Sequence, residues 1–237
     1  MPTPLLRSGL RCLNGNVLKL IAAITMLVDH MGLLFFPRQM IFRIIGRIAF
    51  PIFAFMIAEG CHYTKNRLRY FLSVFLLGAM CQAVYLIFTG DTYLNILLTF
   101  SCAIPTVYLL QEWKTTRQHW RMIPFAAAVA ACYVLNRHVE FDYGFWGMMI
   151  PVLAALSYPA KGSAISTGQH FLSIGLFGLG LLQLAYTSIS WQHYSLLTLP
   201  LLLLYSGKRG KGNYKYAFYL FYPLHLAALQ AIAWLLA

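Results

Sequence analysis

Apolar runs of about 20 residues follow one another along nearly the whole chain, separated only by short polar breaks, and that length is what a helix needs to cross hydrocarbon. Inside a bilayer every backbone N–H and C=O must find its partner within the protein, and a helix does this within one segment, so such a sequence reads as a helix bundle. Composition agrees: 60% of the 237 residues are hydrophobic, 10% are charged, and the mean hydropathy is +0.66. The expectation is an all-α, polytopic transmembrane bundle in which residues 1–237 form one integral-membrane domain surrounded by lipid.

Breaks at charged, Pro or Gly clusters divide the chain into about nine spans, near 17 to 36, 41 to 63, 68 to 89, 93 to 111, 120 to 136, 142 to 158, 168 to 187, 191 to 206 and 214 to 236. Alternating these spans leaves only Arg38, Arg43, Arg47 and Arg137 on one side and the rest of the 18 basic residues on the other. Basic residues collect on the cytoplasmic side, so the asymmetry predicts N-inside, C-outside. It also accounts for the net charge of +12 without nucleic acid, because the cations are scattered over short loops and not gathered on one face. The five cysteines show no metal-ligand spacing, and no metal site is expected.

Within this apolar frame one stretch, 28–59, carries Asp29, His30, Arg43, Arg47 and Glu59. A charge in mid-bilayer costs about 2.5 to 3.5 kcal/mol on insertion scales and persists only for a partner, a polar cavity or a reaction. Ala22, Thr25, Asp29 and Gly32 recur at helical spacing as a small, polar stripe that faces other helices. His30 is rotated about 100° from Asp29, so the two are not expected to pair. Arg43 and Arg47 share a face, and either could meet Asp29; Pro51 loosens the backbone beside Arg47. Glu59 lies at the far end of the same span from Arg47.

Other polar groups have plainer readings. Gln82, Asn95 and Thr99 are of the kind that hold helices together through interhelical bonds. Glu112, His119 and Arg121 bracket a solvated loop, Asp142 sits where it would cap the sixth span, and Tyr219, Tyr222 and His225 form a polar seam in the last one.

Several segments together resemble the TraX family: Asp29-His30, the block Arg43-Ile-Ile-Gly-Arg-Ile-Ala-Phe-Pro-Ile-Phe, Glu59-Gly, Leu94-Asn-Ile-Leu-Leu-Thr, Asp142-Tyr-Gly and Phe221-Tyr-Pro-Leu-His225. The resemblance implies a polytopic inner-membrane acyltransferase that moves an acetyl group from cytosolic acetyl-CoA to a pilin N-terminus or a surface glycan. On that reading His30 or His225 is the general base, a task suited to an imidazole. Arg43 or Arg47 stabilises the oxyanion and Asp29 holds the arginine. Arg67, Arg69, Lys208 and Lys211 would meet the coenzyme's phosphates, with Glu59, Asn95 and Tyr222 near the substrates. A transporter or proton-coupled carrier built on the same intramembrane Asp, His and Arg is the alternative.

Overall fold

In the computed structural model, residues 11–90, 92–161, 163–188, 190–212 and 214–236 are described; Arg7 and Asp91, which entered the charge count, lie outside them. The architecture is helical: α1 Gly15–Phe35, α2 Met40–Gly46, α3 Ala49–Tyr63, α4 Arg67–Thr89, α5 Ile96–Thr116, α6 Met122–His138, α7 Gly144–Ala155, α8 Thr167–Thr187, a 3-10 stretch Ser190–Leu197, α9 Thr198–Leu203 and α10 Lys215–Leu236. Side-chain caps satisfy exposed amides at the start of four of these helices. The Asn14 side chain accepts from the amides of Asn16 and Val17, Asn66 caps α4, Asn95 caps α5, and Ser166 with Gln169 forms a capping box on α8.

Six stretches among the described residues are long and apolar enough to cross a membrane: Gly15–Phe35, Met40–Tyr63, Arg67–Ile87, Ile96–Thr116, Thr167–Thr187 and Ala217–Leu236. The expected spans at 120–136, 142–158 and 191–206 correspond instead to shorter elements. The 12 residues of α7 rise only about 18 Å, against a hydrocarbon core of about 30 Å. Length, not polarity, separates α7 from the others, because its interior is buried against α3, α5 and α8.

Contacts between loops sort the chain into two ends. At one, the amides of Gly15 and Asn16 donate to the carbonyls of Lys208 and Arg209, His62 meets the Ser163 carbonyl, and Glu112 joins Arg67 and Arg121. At the other, Leu94 pairs with Phe141, Asp29 reaches back to α2, and Arg47 reaches Gln192. The largest fully buried side chains, among them Phe55, Phe100, Phe177 and Tyr205, fill the space between α3, α5, α8 and the region after α9. Leu and Ile side chains of α4, α8 and α10 point outward and stay exposed, as a lipid-facing surface requires.

Candidate active site between α1, α2 and α10

The second span is broken where its charges lie. α2 ends at Gly46, α3 begins at Ala49, and Arg47 sits in the turn between them. Pro51 has no N–H to offer the Arg47 carbonyl four residues back, which is why the helix yields here. Gly46 then allows α1 to come close: a Cβ on it would lie 2.2 Å from Asp29 Oδ1, so any side chain there would drive the carboxylate away. The small-residue stripe of α1 faces inward as expected, with Ala22, Thr25 and Gly32 buried.

Asp29 is shared by both arginines. Arg43 Nη1 donates to Asp29 Oδ2 at 2.9 Å, and Arg47 Nη2 approaches Oδ1 at 3.4 Å. Arg47, only 8% exposed, also donates from Nη1 to Gln192 Oε1 at 3.1 Å, and its guanidinium lies 5.9 Å from the Tyr143 ring centre. Tyr143 is held there by an unusual turn, with a left-handed φ of 60° and its ring stacked on Phe50 at 3.9 Å. A non-glycine residue in that region costs about 1 to 3 kcal/mol and needs surrounding structure to hold it. Tyr143, not Asp142, occupies the cap position of α7, which corrects the expected capping role. In this loop burial pushes the Asp142 carboxyl up to about 7, while the charges of Arg47 and Arg43 pull it down.

The two candidate bases form one unit. His30 Nδ1 lies 3.0 Å from His225 Nε2, although the residues are 195 apart in sequence. His225 Nδ1 lies 2.8 Å from the Phe221 carbonyl, a group that only accepts, so this nitrogen carries the proton. In a neutral pair His225 Nε2 is then the acceptor and His30 Nδ1 the donor. The lone pair available for chemistry is on His30 Nε2. The charges of Arg43 and Arg47 both bear on this ring.

A cavity of about 370 Å³ leads toward the pair. Lys19, Tyr63 and Arg209 line it near the end where α1 and α10 begin, and Met26, Phe221 and Tyr222 line its other extreme. Met26 and Phe221 each stand one helical turn before a histidine of the pair, and Tyr222 packs edge-on to His225 at 5.6 Å. From Asn16 to Met26 the cavity follows α1 for about 15 Å.

The remaining expected residues are dispersed. Glu59 accepts from the Tyr205 hydroxyl at 2.6 Å, next to Gly60 and Tyr63 at the cavity's basic end and not near Arg47. The Asn95 amide is fully engaged: it accepts from Leu97 N and donates to the Gly78 carbonyl and Gln82 Oε1. Arg67 is paired with Glu112, Arg69 is exposed in the first turn of α4, and Lys208 and Lys211 border a separate groove between α1 and α10. Gln192 and Tyr143 were not expected at the site. Nothing in the polar stretch around Gln192 singles it out, whereas the Asp-Tyr-Gly turn is a signal for Tyr143.

The TraX protein family model matches residues 14–233, which takes in every element of this site. The chain belongs to the TraX family. A probable fimbrial assembly protein FimC, serogroup H1, from Dichelobacter nodosus is 28% identical over 239 residues, covering 90% of this chain and 92% of that protein. An uncharacterized protein of Rickettsia prowazekii is 28% identical over 148 residues, 62% of this chain and 56% of its own length. No solved structure matches the chain. As a TraX-family protein with several apolar helices it is a multi-pass membrane protein.

Proposed function

We propose that this TraX-family protein is an integral-membrane acetyltransferase that draws acetyl-CoA from the cytoplasm and passes the acetyl group to an amine or hydroxyl acceptor at the opposite membrane face. The observation that carries this reading is the cavity running from Lys19 and Arg209 to the foot of the His30–His225 pair. It is lined mostly by apolar side chains, and its volume falls within the range of about 300 to 1,000 Å³ typical of small-molecule sites. An acetyl-pantetheine arm fits such a passage, with its nucleotide left at the basic end.

His30 Nε2 takes the proton from the acceptor as its nitrogen or oxygen attacks the thioester carbonyl carbon. The negative charge that develops on the carbonyl oxygen faces Arg43, which keeps free donors beyond its bond to Asp29, while Arg47 is fixed by Asp29 and Gln192. Collapse breaks the carbon–sulfur bond, and the imidazolium returns the proton to the leaving thiolate. His225 holds the tautomer that leaves Nε2 unprotonated.

The topology that suits this reading has nine passes between the two ends, with α6, α7 and the 190–203 segment as the short ones. The end bearing Arg11, Lys65, Arg67, Arg121, Lys161 and Lys208 faces the cytoplasm of the inner membrane. The loop contacts at each end agree with that alternation. The relative named as a probable fimbrial assembly protein supports a pilin-type acceptor; a surface glycan is the other acceptor class.

Purified protein in anionic vesicles, supplied with an amine-bearing peptide as acceptor, should release free thiol from acetyl-CoA, and Met26→Trp, which blocks the cavity below the histidines, should suppress it while leaving the protein folded. Solute or proton flux with no thioester cleavage would replace the enzyme with a carrier. Thiol release unaffected by Met26→Trp would remove the cavity from the mechanism.

A further inference from the structure

A second depression, of about 930 Å³, lies between α1 and α10 and shares Asn16, Ala23, Phe218 and Phe221 with the cavity below the histidines. Its chemistry is divided along its length. Arg11, Lys208 and Lys211 stand at one end. Beyond them the walls are Leu20, Ile24 and Leu27 of α1 and Ala217 and Phe218 of α10, with Leu20 52% and Ile24 53% exposed.

The segments that carry the cations at its head are held by hydrogen bonds. The loop bearing Lys208 and Lys211 is tied to the first turn of α1, because Gly15 N donates to the Lys208 carbonyl and the Asn16 side chain donates to the Lys211 carbonyl at 2.9 Å. Gly210, at φ 90°, lets that loop close over Asn14, whose Oδ1 would be 2.5 Å from any Cβ. Arg11 is oriented by donating Nε to the Tyr205 carbonyl at 2.8 Å. Among the described residues no acidic side chain lines the groove, and the ion pairs use Asp29 and Glu112, so none of them gives these three cations a carboxylate.

We propose that this groove is a binding site for one anionic phospholipid of the leaflet at the basic end of the bundle. Its phosphate sits among Arg11, Lys208 and Lys211, and one acyl chain lies along α1 and α10. From Val17 to Leu27 the groove follows α1 for about 15 Å, which is the depth of one leaflet's hydrocarbon. The cations therefore lie at headgroup level and the apolar walls at chain level. A soluble anion would leave the exposed Leu20 and Ile24 walls without a partner.

The test is native mass spectrometry of the full-length detergent-purified protein titrated with phosphatidylglycerol or phosphatidylcholine. Wild type should retain one phosphatidylglycerol in preference to phosphatidylcholine by about 10- to 30-fold, the worth of two or three basic residues against an anionic headgroup. Lys208→Gln with Lys211→Gln should erase most of that preference, whereas Lys65→Gln, at the same end but outside the groove, should keep it. Ile24→Trp, which fills the chain-level half, should weaken retention of either lipid while the head cations remain. Equal retention of the two lipids by wild type, or an unchanged preference in the double variant, would overturn the assignment. So would displacement of the bound lipid by acetyl-CoA, because the groove would then belong to the coenzyme.

Discussion

The bundle carries the same chemical arrangement at each end, one carboxylate between two arginines, and the two could hardly differ more in setting. At the basic end Glu112 joins Arg67 and Arg121, with all three side chains between 31% and 37% exposed. At the other end Asp29 joins Arg43 and Arg47, with exposures of 16%, 26% and 10%. The first is a rim cluster, where an ion pair is worth about 0 to 1 kcal/mol and salt screens it. The second is walled by Gly46, Tyr143 and Gln192, and its charges bear on the His30 ring. Burial turns the same three groups from a surface tie into a wall of the proposed acetyl-transfer site.

Removing the central carboxylate from each cluster should separate them most clearly. Asp29→Asn leaves one buried and one half-buried guanidinium facing a neutral amide and should cost about 3 to 5 kcal/mol, read as lower yield and melting temperature in detergent. A melting temperature equal to wild type would mean that water already compensates Arg43 and Arg47. Gly46→Ala tests the same cluster without touching a charge. Its methyl would overlap both the Cβ and the carboxylate of Asp29 and should destabilise by about 1 to 3 kcal/mol; an unchanged melting temperature would show that α1 moves aside.

Asp142 gives the comparison a pH axis. Its folded pKa, about 7, lies above that of an unfolded Asp near 3.9, so the stability it contributes is fully present below about pH 4 and is lost as pH rises through 7. Asp142→Asn should flatten the fall in melting temperature across that window; parallel wild-type and variant profiles would show that the carboxyl ionises freely. The smallest effect is expected at the rim. Glu112→Gln should change stability by less than about 1 kcal/mol, and the difference should shrink in high salt. A loss as large as that of Asp29→Asn would erase the distinction between the two ends.

How much of this was legible in the sequence depends on whether one helix's geometry could answer the question. The meeting of Asp29 with Arg43 and Arg47 was, because a small-residue stripe fixed the face of α1 and the i, i+4 spacing fixed the face of the arginines. The His30–His225 contact was not. Either residue could be suggested as a base, but their pairing across 195 residues depends on how α1 and α10 rotate against each other. Arg67 looked like a coenzyme contact because it stands in a basic loop, and Glu112, 45 residues away, looked merely solvated. The structure joins them. Hydropathy likewise could not show that the span read as 142 to 158 carries a helix of only 12 residues, since short and long buried helices both read as apolar.

The central claim is that His30 is the base at the end of a coenzyme channel, and single-turnover acetyl transfer per folded molecule tests it most directly. His30→Gln keeps much of the hydrogen bonding of the imidazole and should stay monodisperse in detergent with a near wild-type melting temperature. Its transfer rate should nevertheless fall about 100- to 10,000-fold, the usual worth of a positioned general base. Wild-type turnover by a folded His30→Gln protein would contradict the account.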